Sequence, residues 1–315
     1  MEAAERSSFD IREIDEIGRT AVEEAIEEPG EDDYVVRAFL DCGFSLPYRA
    51  ILHAALSCAL DELNTSKVDL VLSRGANLTA VDEDGLNVLH LGAQHGSLAA
   101  VRRILREPDA QDLVWSRDNE GRTPLHWAAA AGRTKILEVL MEAGAELEAR
   151  DLYGVPAVGL AIEMGSTECV THLLHKGADI WLQEGPWSGN TILNFAVRAD
   201  LEDPKSMLSF LLSADLDEEE RPRFAQFHDQ AVLNAQNQED GNTVLHRAAA
   251  RGDHEGVFSL VRAGASLRVT NSAGLIPLRE AERKWNLLTE TTDAEGILLR
   301  QQLDRVLQYL APPAE

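Results

Sequence analysis

Histidines are the first residues in this sequence whose type and spacing could support chemistry. His53, His90, His126 and His246 each follow a leucine, and a set of imidazoles could hold a metal ion or act in acid–base catalysis. Consecutive members are at least 36 residues apart. If each belongs to its own structural unit, the four lie too far apart to share an ion. The spacing therefore favours structural roles.

A second pair, His172 and His175, is spaced by one helical turn and could contact one ion. Glu168 and Cys169 precede the pair by about one further turn. These four residues match no recognised metal-binding spacing, so we interpret the two histidines as helix-surface residues. No metal site and no cofactor is predicted.

Motifs of catalysis are absent from the sequence. No Gly-x-Gly-x-x-Gly follows a strand pattern, and neither a Walker loop nor a Gly-x-Ser-x-Gly elbow occurs. We therefore predict no catalytic residue and no enzymatic activity.

The charge balance narrows the class of partner. The 315 residues include 54 acidic and 29 basic side chains, a net charge of −25, which repels nucleic acid and favours a protein with a basic surface or peptide segment. Three scattered cysteines indicate a reducing compartment. The sequence has no apolar run long enough to span a membrane and no secretory signal. We expect a monomer in the cytoplasm, with the nucleus as a second possibility.

The stretch 118–151 shows which elements carry these residues. Thr123 and Pro124 are typical of the start of a helix, and Gly132 is typical of its end. Ile136, Leu137, Leu140 and Met141 then follow at the spacing of a second, amphipathic helix, which Gly144 closes. Two short helices cannot bury both apolar faces alone, so this unit needs copies beside it.

The chain supplies about eight such copies. The positions equivalent to His126 are separated by 30, 37, 36, 33, 35, 52 and 33 residues; in chain order, with His126 included, they are Glu23, His53, His90, His126, Gly159, Asn194, His246 and Arg279. A period of about 33 residues with insertions predicts a solenoid.

These copies resemble ankyrin repeats. The resemblance rests on Thr123-Pro124-Leu125-His126, on Gly144-Ala145, and on the Gly-Ala pairs at 75–76, 177–178 and 264–265. It implies an all-α solenoid of stacked helix–turn–helix units with projecting β-turn tips. It also implies that the repeated histidine makes hydrogen bonds within its own turn.

The predicted boundaries follow from the repeats. We expect a disordered arm over 1–14, a solenoid over 15–310 with insertions at about 106–117 and 213–230, and a tail over 311–315. The segment 233–237, Leu-Asn-Ala-Gln-Asn, resembles the ankyrin sequence that asparaginyl hydroxylases modify. Asn234 would be the target, although a plain turn asparagine is the alternative.

Ankyrin proteins bind partners with their turn tips and inner helices, the concave face of the stack. Projected onto this chain, the predicted partner-binding residues are Glu120, Arg122, Leu152, Tyr153, Val155, Glu163, Met164, Trp187, Asn190 and Arg198. Large apolar residues at nominally exposed positions in the fifth copy and at the entry to the sixth resemble a binding hot spot. The alternative is that Trp187 and Trp181 only pack under a widened turn.

The sequence therefore predicts a protein–protein interaction module that binds a basic segment on the concave face of the central repeats. An acidic rim would favour such a partner, and its residues are Glu83, Asp84, Glu120, Glu163, Glu239 and Asp240. The alternative is a regulatory or substrate-adaptor subunit of an enzyme complex that acts through its insertions.

Overall fold

A computed structural model describes residues 65–95, 98–182, 190–198, 207–212, 224–287 and 294–310, together with Ile26, Arg37 and Asp41. The chain divides into two compact units, Met1–Asp151 and Leu152–Glu315. The predictions for 1–14, for 311–315 and for Trp187 lie outside the described residues, as does most of the first two copies.

The first unit is built from short helices. They are α1 (Ser66–Ser73), α2 (Val88–His95), α3 (Leu98–Ile104), α4 (Pro124–Ala130) and α5 (Thr134–Glu142). Helix α2 packs on α3 and α4 packs on α5, and the pairs stack with α2 against α4 and α3 against α5. This is the helix–turn–helix stacking that the sequence predicts, and the all-α solenoid is confirmed.

The second unit continues the helical pattern. Its helices are α6 (Ala157–Glu163), α7 (Thr167–His175), α8 (Leu193–Arg198), α9 (Met207–Leu211), α10 (Gln230–Leu233), α11 (Val244–Arg251), α12 (His254–Ala263), α13 (Pro277–Leu287) and α14 (Ala294–Leu310). Two short strands, β1 (Trp181–Leu182) and β2 (Asn190–Thr191), pair antiparallel. Helix α6 packs on α7 and α8, and α11 packs on α12 and α13.

The start of α4 shows how the sequence produces this geometry. Thr123 has an extended backbone and Pro124 occupies the first helical position, where a missing N–H costs nothing. Small side chains at Ala128 and Ala129 are fully buried and let neighbouring helices approach closely. Gly132 has a φ of 68°, a left-handed conformation that glycine adopts without strain.

Both predicted insertions contain packed structure. The segment after α3 forms two turns of 3₁₀ helix, Pro108–Ala110 and Asp112–Val114, with Leu113 and Val114 buried. In the second insertion Phe224 and Phe227 are buried, and the Phe224 ring lies 5.6 Å from that of Phe210. Phe224 and Phe227 are therefore part of the core of the second unit.

Candidate functional site

The turn tips are held by repeated side-chain hydrogen bonds. Asp118 Oδ1 accepts from the backbone N–H groups of Glu120 at 2.9 Å and Arg122 at 2.8 Å. Asn271 Oδ1 accepts from those of Ala273 at 3.1 Å and Leu275 at 2.9 Å. In each tip, a side-chain oxygen accepts the hydrogen bonds of backbone N–H groups that have no carbonyl partner. The tip is therefore held in one conformation, which also fixes the position of its exposed residues.

The repeated histidines join one repeat to the next. In the first unit, His90 Nδ1 accepts from Asn87 N–H at 3.1 Å, and Nε2 donates to the carbonyl oxygen of Arg122 at 3.0 Å. In the second unit, His246 Nδ1 accepts from Thr243 N–H at 3.2 Å, and Nε2 donates to Leu275 O at 2.8 Å. With both ring nitrogens engaged, these histidines serve the packing of the solenoid.

Burial favours the neutral form of His90 and His246. Desolvation lowers the pKa of His90 and of His246, and the bonds to Arg122 O and Leu275 O only partly offset it. Among the residues that the structure describes, no group of three or more His, Cys, Asp or Glu side chains is arranged to hold a metal ion. His172 is half-buried and His175 is exposed on α7.

Arg122 is one of the predicted partner-binding residues, and its side chain contacts two neighbouring side chains at its own tip. Its Nη2 lies 2.6 Å from Glu120 Oε2, and its guanidinium carbon lies 5.7 Å from the centre of the Trp127 ring. Trp127 in turn donates from Nε1 to Asp118 Oδ2 at 2.8 Å. The Arg122 side chain therefore stabilises the tip, and the charge of Glu120 is already paired.

The fifth copy exposes three large apolar side chains. Leu152 and Tyr153 on the tip are 73% and 57% exposed, and Met164, which follows the C-terminal end of α6, is 58% exposed. Helix α6 is seven residues long, so its ends are separated by about 10 Å. We call these three residues the repeat-five surface.

Val155 was predicted to be an exposed tip residue, but it is buried, with 6% of its surface exposed. The cause is Gly159, which stands where other copies have histidine. A Cβ atom there would lie 3.0 Å from Val155 Cγ1 and 2.9 Å from Phe195 Cε2. Val155 and Phe195 thus fill the space that a side chain at position 159 would need.

The other predicted contact residues are less well defined. Glu163 is half-buried near the end of α6. Asn190 pairs with Leu182 through the β ladder, and Arg198 ends α8, but only their backbones are described. The structure therefore tests the exposure of Leu152, Tyr153, Val155 and Met164 alone among the apolar candidates.

Asn234, the predicted hydroxylation target, directly follows α10 and is half-buried. Its Nδ2 donates to Gln230 O at 2.9 Å, and its Oδ1 accepts from Ser266 N–H at 2.8 Å. The side chain therefore bridges α10 and the following repeat. Modification of Asn234 stays a prediction, and this bridge would have to open for an enzyme to reach it.

Two aromatic features were missed by the sequence reasoning. Trp115, 46% exposed, donates from Nε1 to Gly144 O at 2.7 Å, beside a bond from Gln111 Nε2 to Ala143 O. Phe258 on α12 lies against Tyr309 on α14. For Phe258 and Tyr309 the available signal was an aromatic residue at a solvent-facing position of an amphipathic helix.

Comparison with known proteins shows the family to which this chain belongs. The ankyrin-repeat family model matches in three copies, over residues 51–151, 117–184 and 158–271, which together exceed half of the chain. This chain therefore belongs to the ankyrin-repeat family. Ankyrin repeats are protein–protein interaction modules.

Particular relatives share this repeat region. Human B-cell lymphoma 3 protein is 28% identical over 66% of this chain, and the chicken nuclear factor NF-kappa-B p105 subunit is 29% identical over 74%. The E3 ubiquitin-protein ligase KEG of Arabidopsis thaliana is 27% identical over 70%. The chain spans 50%, 22% and 13% of these relatives, respectively, so their whole-protein activities do not transfer.

Solved structures agree on the fold. The ankyrin repeat domain of Bcl-3 matches with a TM-score of 0.53 and 23% identity, covering 85% of this chain and 98% of that domain. A chain of the complex between a predatory endopeptidase of Bdellovibrio bacteriovorus and an immunity protein matches with a TM-score of 0.50 and 21% identity, covering 72% of this chain and 99% of that one. None of the helices in the described part of the chain is both long and apolar enough to cross a membrane.

Proposed function

We propose that this protein binds another protein through the repeat-five surface, Leu152, Tyr153 and Met164. The observation that carries the proposal is their exposure of 73%, 57% and 58% in a single repeat. Large apolar side chains left in water favour association, because their burial in an interface is stabilising. Tyrosine in particular is enriched among residues that dominate binding energy.

The same positions are different in the other described repeats. The tip residues equivalent to Leu152 and Tyr153 are Glu83-Asp84, Asn119-Glu120, Glu239-Asp240 and Ser272-Ala273. The residues equivalent to Met164 are His95, Ala131 and Arg251. The repeats share their backbone structure but differ in the side chains at these positions. Among the described repeats, only the fifth has large apolar side chains at all three.

A basic partner segment is the finer part of the proposal. In the second unit Glu239 is exposed, and Glu163 and Asp240 are half-buried. Burial alone would raise the pKa of Asp240, but hydrogen bonds from Asn242 outweigh it and the pKa is lowered, which keeps this carboxylate charged. In the first unit Glu120 contributes less, because Arg122 already pairs with it.

The test uses affinity capture with the full chain as bait. The variant Leu152→Ala/Tyr153→Ala/Met164→Ala should capture its specific partners at least about tenfold less than the natural sequence does. Leu267→Ala/Leu287→Ala removes exposed apolar side chains elsewhere in the second unit and serves as the control. Capture of the same proteins by the triple variant at undiminished yield would refute the site.

Salt dependence tests the basic segment separately. Once a captured partner is identified, its association rate should fall steeply between about 50 and 500 mM salt, since screening weakens steering between opposite charges. A rate that does not change with salt would contradict the basic segment and leave the apolar anchor standing.

The alternative function, an adaptor subunit that acts through its insertion, can be tested by deleting part of that insertion. The deletion has to be shorter than residues 214–230. Removing that whole segment would delete the buried Phe224 and Phe227 and destabilise the second unit. Deletion of 214–222 spares both rings, and loss of capture by that variant would favour a role for the insertion. A monomeric state, absence of catalysis and a cytoplasmic or nuclear location remain predictions.

A further inference from the structure

The histidine that joins one repeat to the next is replaced in two consecutive repeats of the second unit. Gly159 stands at this position in the fifth repeat and Asn194 in the sixth, while His246 occupies it in the seventh. At Gly159 the replacement is apolar, because the fully buried Phe195 takes up the space of a side chain. The sixth repeat differs, since asparagine keeps polar atoms at the same position.

The polar groups around Asn194 are buried and incompletely bonded. Thr191 is fully buried and Asn194 is 1% exposed. Asn194 Nδ2 donates to Thr191 O at 3.2 Å, within its own turn. Neither Thr191 Oγ1 nor Asn194 Oδ1 has a hydrogen-bond partner in the part of the chain that the structure describes. A buried oxygen without a partner costs free energy in the folded state.

The turns that keep their histidine show what the sixth repeat lacks. Thr123 Oγ1 lies 2.9 Å from His126 Nδ1, and Thr243 Oγ1 lies 2.8 Å from His246 Nδ1. The second ring nitrogen of His246 donates to Leu275 O in the next repeat at 2.8 Å. One imidazole therefore satisfies the threonine of its own turn and also makes the histidine bond to the following repeat.

Asparagine cannot make both contacts. Its amide nitrogen is one covalent bond closer to the backbone than Nε2 of an imidazole, and it already donates to the oxygen of its own turn. The carbonyl oxygen of Asn242, equivalent to Leu275 O, accepts from Asn237 N–H at 3.2 Å. The junction between repeats six and seven therefore has no counterpart of the histidine bond among the described residues.

The second helices of the same two repeats keep a side-chain bond. Helix α9 packs on α12, and Ser209 Oγ lies 2.9 Å from Ser259 Oγ. The first helices, α8 and α11, also pack together, but they do so without a histidine bond. The junction is therefore weaker between its first helices than between its second helices.

We propose that the second unit has a hinge at the junction of repeats six and seven. Helix α8 separates transiently from α11, while α9 and α12 stay in contact as the pivot. Opening lets water reach Thr191 Oγ1 and Asn194 Oδ1, which recovers part of the free energy that their burial costs. The hinge adjusts the spacing of the first helices to a bound protein, and it does not depend on the repeat-five surface being the binding site.

The test is hydrogen exchange measured by mass spectrometry on the full 315-residue chain. Asn194→His supplies the missing groups, because Nδ1 can accept from the Thr191 hydroxyl and Nε2 can donate to Asn242 O. We expect it to slow exchange of the α8 amides at least about tenfold, since it closes the opened state. The amides of α4, α9 and α12 should exchange as in the natural sequence. The reverse change, His246→Asn, should speed exchange of the α11 amides at least about tenfold.

A pair of threonine variants tests the buried oxygen without adding a ring. Thr191→Val removes a hydroxyl that has no partner, so the melting temperature should stay the same or rise. Thr243→Val removes a hydroxyl that contacts His246 Nδ1, so the melting temperature should fall. If the imidazole of Asn194→His does not fit and that variant fails to fold, the threonine pair and His246→Asn decide the question.

Three results would overturn the proposal. A folded Asn194→His variant with unchanged α8 exchange would show that this junction is not where the chain opens. Equal slowing in α9 and α12 would mean that the whole sixth repeat unfolds instead of turning on a pivot. A loss of stability in Thr191→Val as large as that in Thr243→Val would show that the Thr191 hydroxyl is bonded in solution, for example to a buried water, and would remove the cause of the hinge.

Discussion

Two repeat-to-repeat junctions, one in each unit, make the same contacts with different side chains. The first junction joins the tips at 82–86 and 118–122, and the second joins the tips at 237–242 and 271–275. In the first, Asn119 N–H donates to Asp84 O at 2.9 Å, and in the second, Ser272 N–H donates to Asp240 O at 2.9 Å. Each junction also has its histidine bond, from His90 or from His246.

The side chains at the junctions differ in charge. In the first, Asp118 holds the tip. Arg117, which precedes this tip, donates to the carbonyl oxygens of Gly121 and of Arg150 in the following repeat, so its bonds lie one repeat beyond the first junction. In the second, Asn271 holds the tip and Gln236 donates to the equivalent oxygens, Gly241 O at 2.7 Å and Thr270 O at 2.8 Å. The comparison teaches that the same backbone hydrogen bonds recur from repeat to repeat. The side chains that support them can be either ionic or amide.

The largest expected effect comes from removing the histidine of either junction. His90→Ala and His246→Ala should each lower the free energy of unfolding by about 3 kcal/mol, because buried hydrogen bonds are lost and a cavity remains. Urea denaturation of the two variants measures this, with exposed His228→Ala as the unaffected control. A large loss for only one of the two would break the equivalence of the junctions.

Adding a methyl group at the tip glycines should cost about 2 kcal/mol or more. A Cβ at Gly85 would lie 2.7 Å from Asn119 Oδ1, and one at Gly241 would lie 2.7 Å from Ser272 N, while both glycines have positive φ. Gly274→Ala has the same backbone strain with no atom within 4 Å, so it should cost only about 1 kcal/mol. Thermal melts of the three variants compare strain alone with strain plus a clash; equal costs would contradict the tight contact between tips.

Acid should weaken both junctions in the same pH range. The folded pKa values of His90 and His246 lie below the ordinary value of 6.5, so the unfolded chain takes up protons first as the pH falls. Stability from these histidines is fully present above about pH 7 and is lost as the pH drops below 6.5, by at most about 1.4 kcal/mol per pH unit for each histidine. Melting temperatures between pH 8 and 5.5 measure the slope, which His90→Gln and His246→Gln should each reduce.

The smallest effect should separate the charged junction from the neutral one. Glu120→Ala and Arg122→Leu introduce the residues that the second junction has, Ala273 and Leu275. Because Glu120 is half exposed, their coupling energy in a double-mutant cycle should be about 0.5 kcal/mol and should shrink in high salt. A coupling above about 2 kcal/mol would mean that the ion pair is essential to the first junction.

The sequence by itself determined the repeat and its phase. Glycines at fixed distances from Thr-Pro-Leu-His and a period of about 33 residues predicted which residues begin helices and which stand at tips, because these depend on local backbone preferences. The structure confirms the solenoid, and it confirms the exposure of Leu152, Tyr153 and Met164.

Only the tertiary structure decided what each tip side chain does. Val155 and Arg122 occupy equivalent positions, yet one is buried beside Gly159 and the other is paired with Glu120. The periodic pattern could not distinguish them, because burial at a tip depends on the volume that neighbouring side chains leave empty. In the same way Phe258 and Tyr309, 51 residues apart, become one surface only when α12 and α14 pack together.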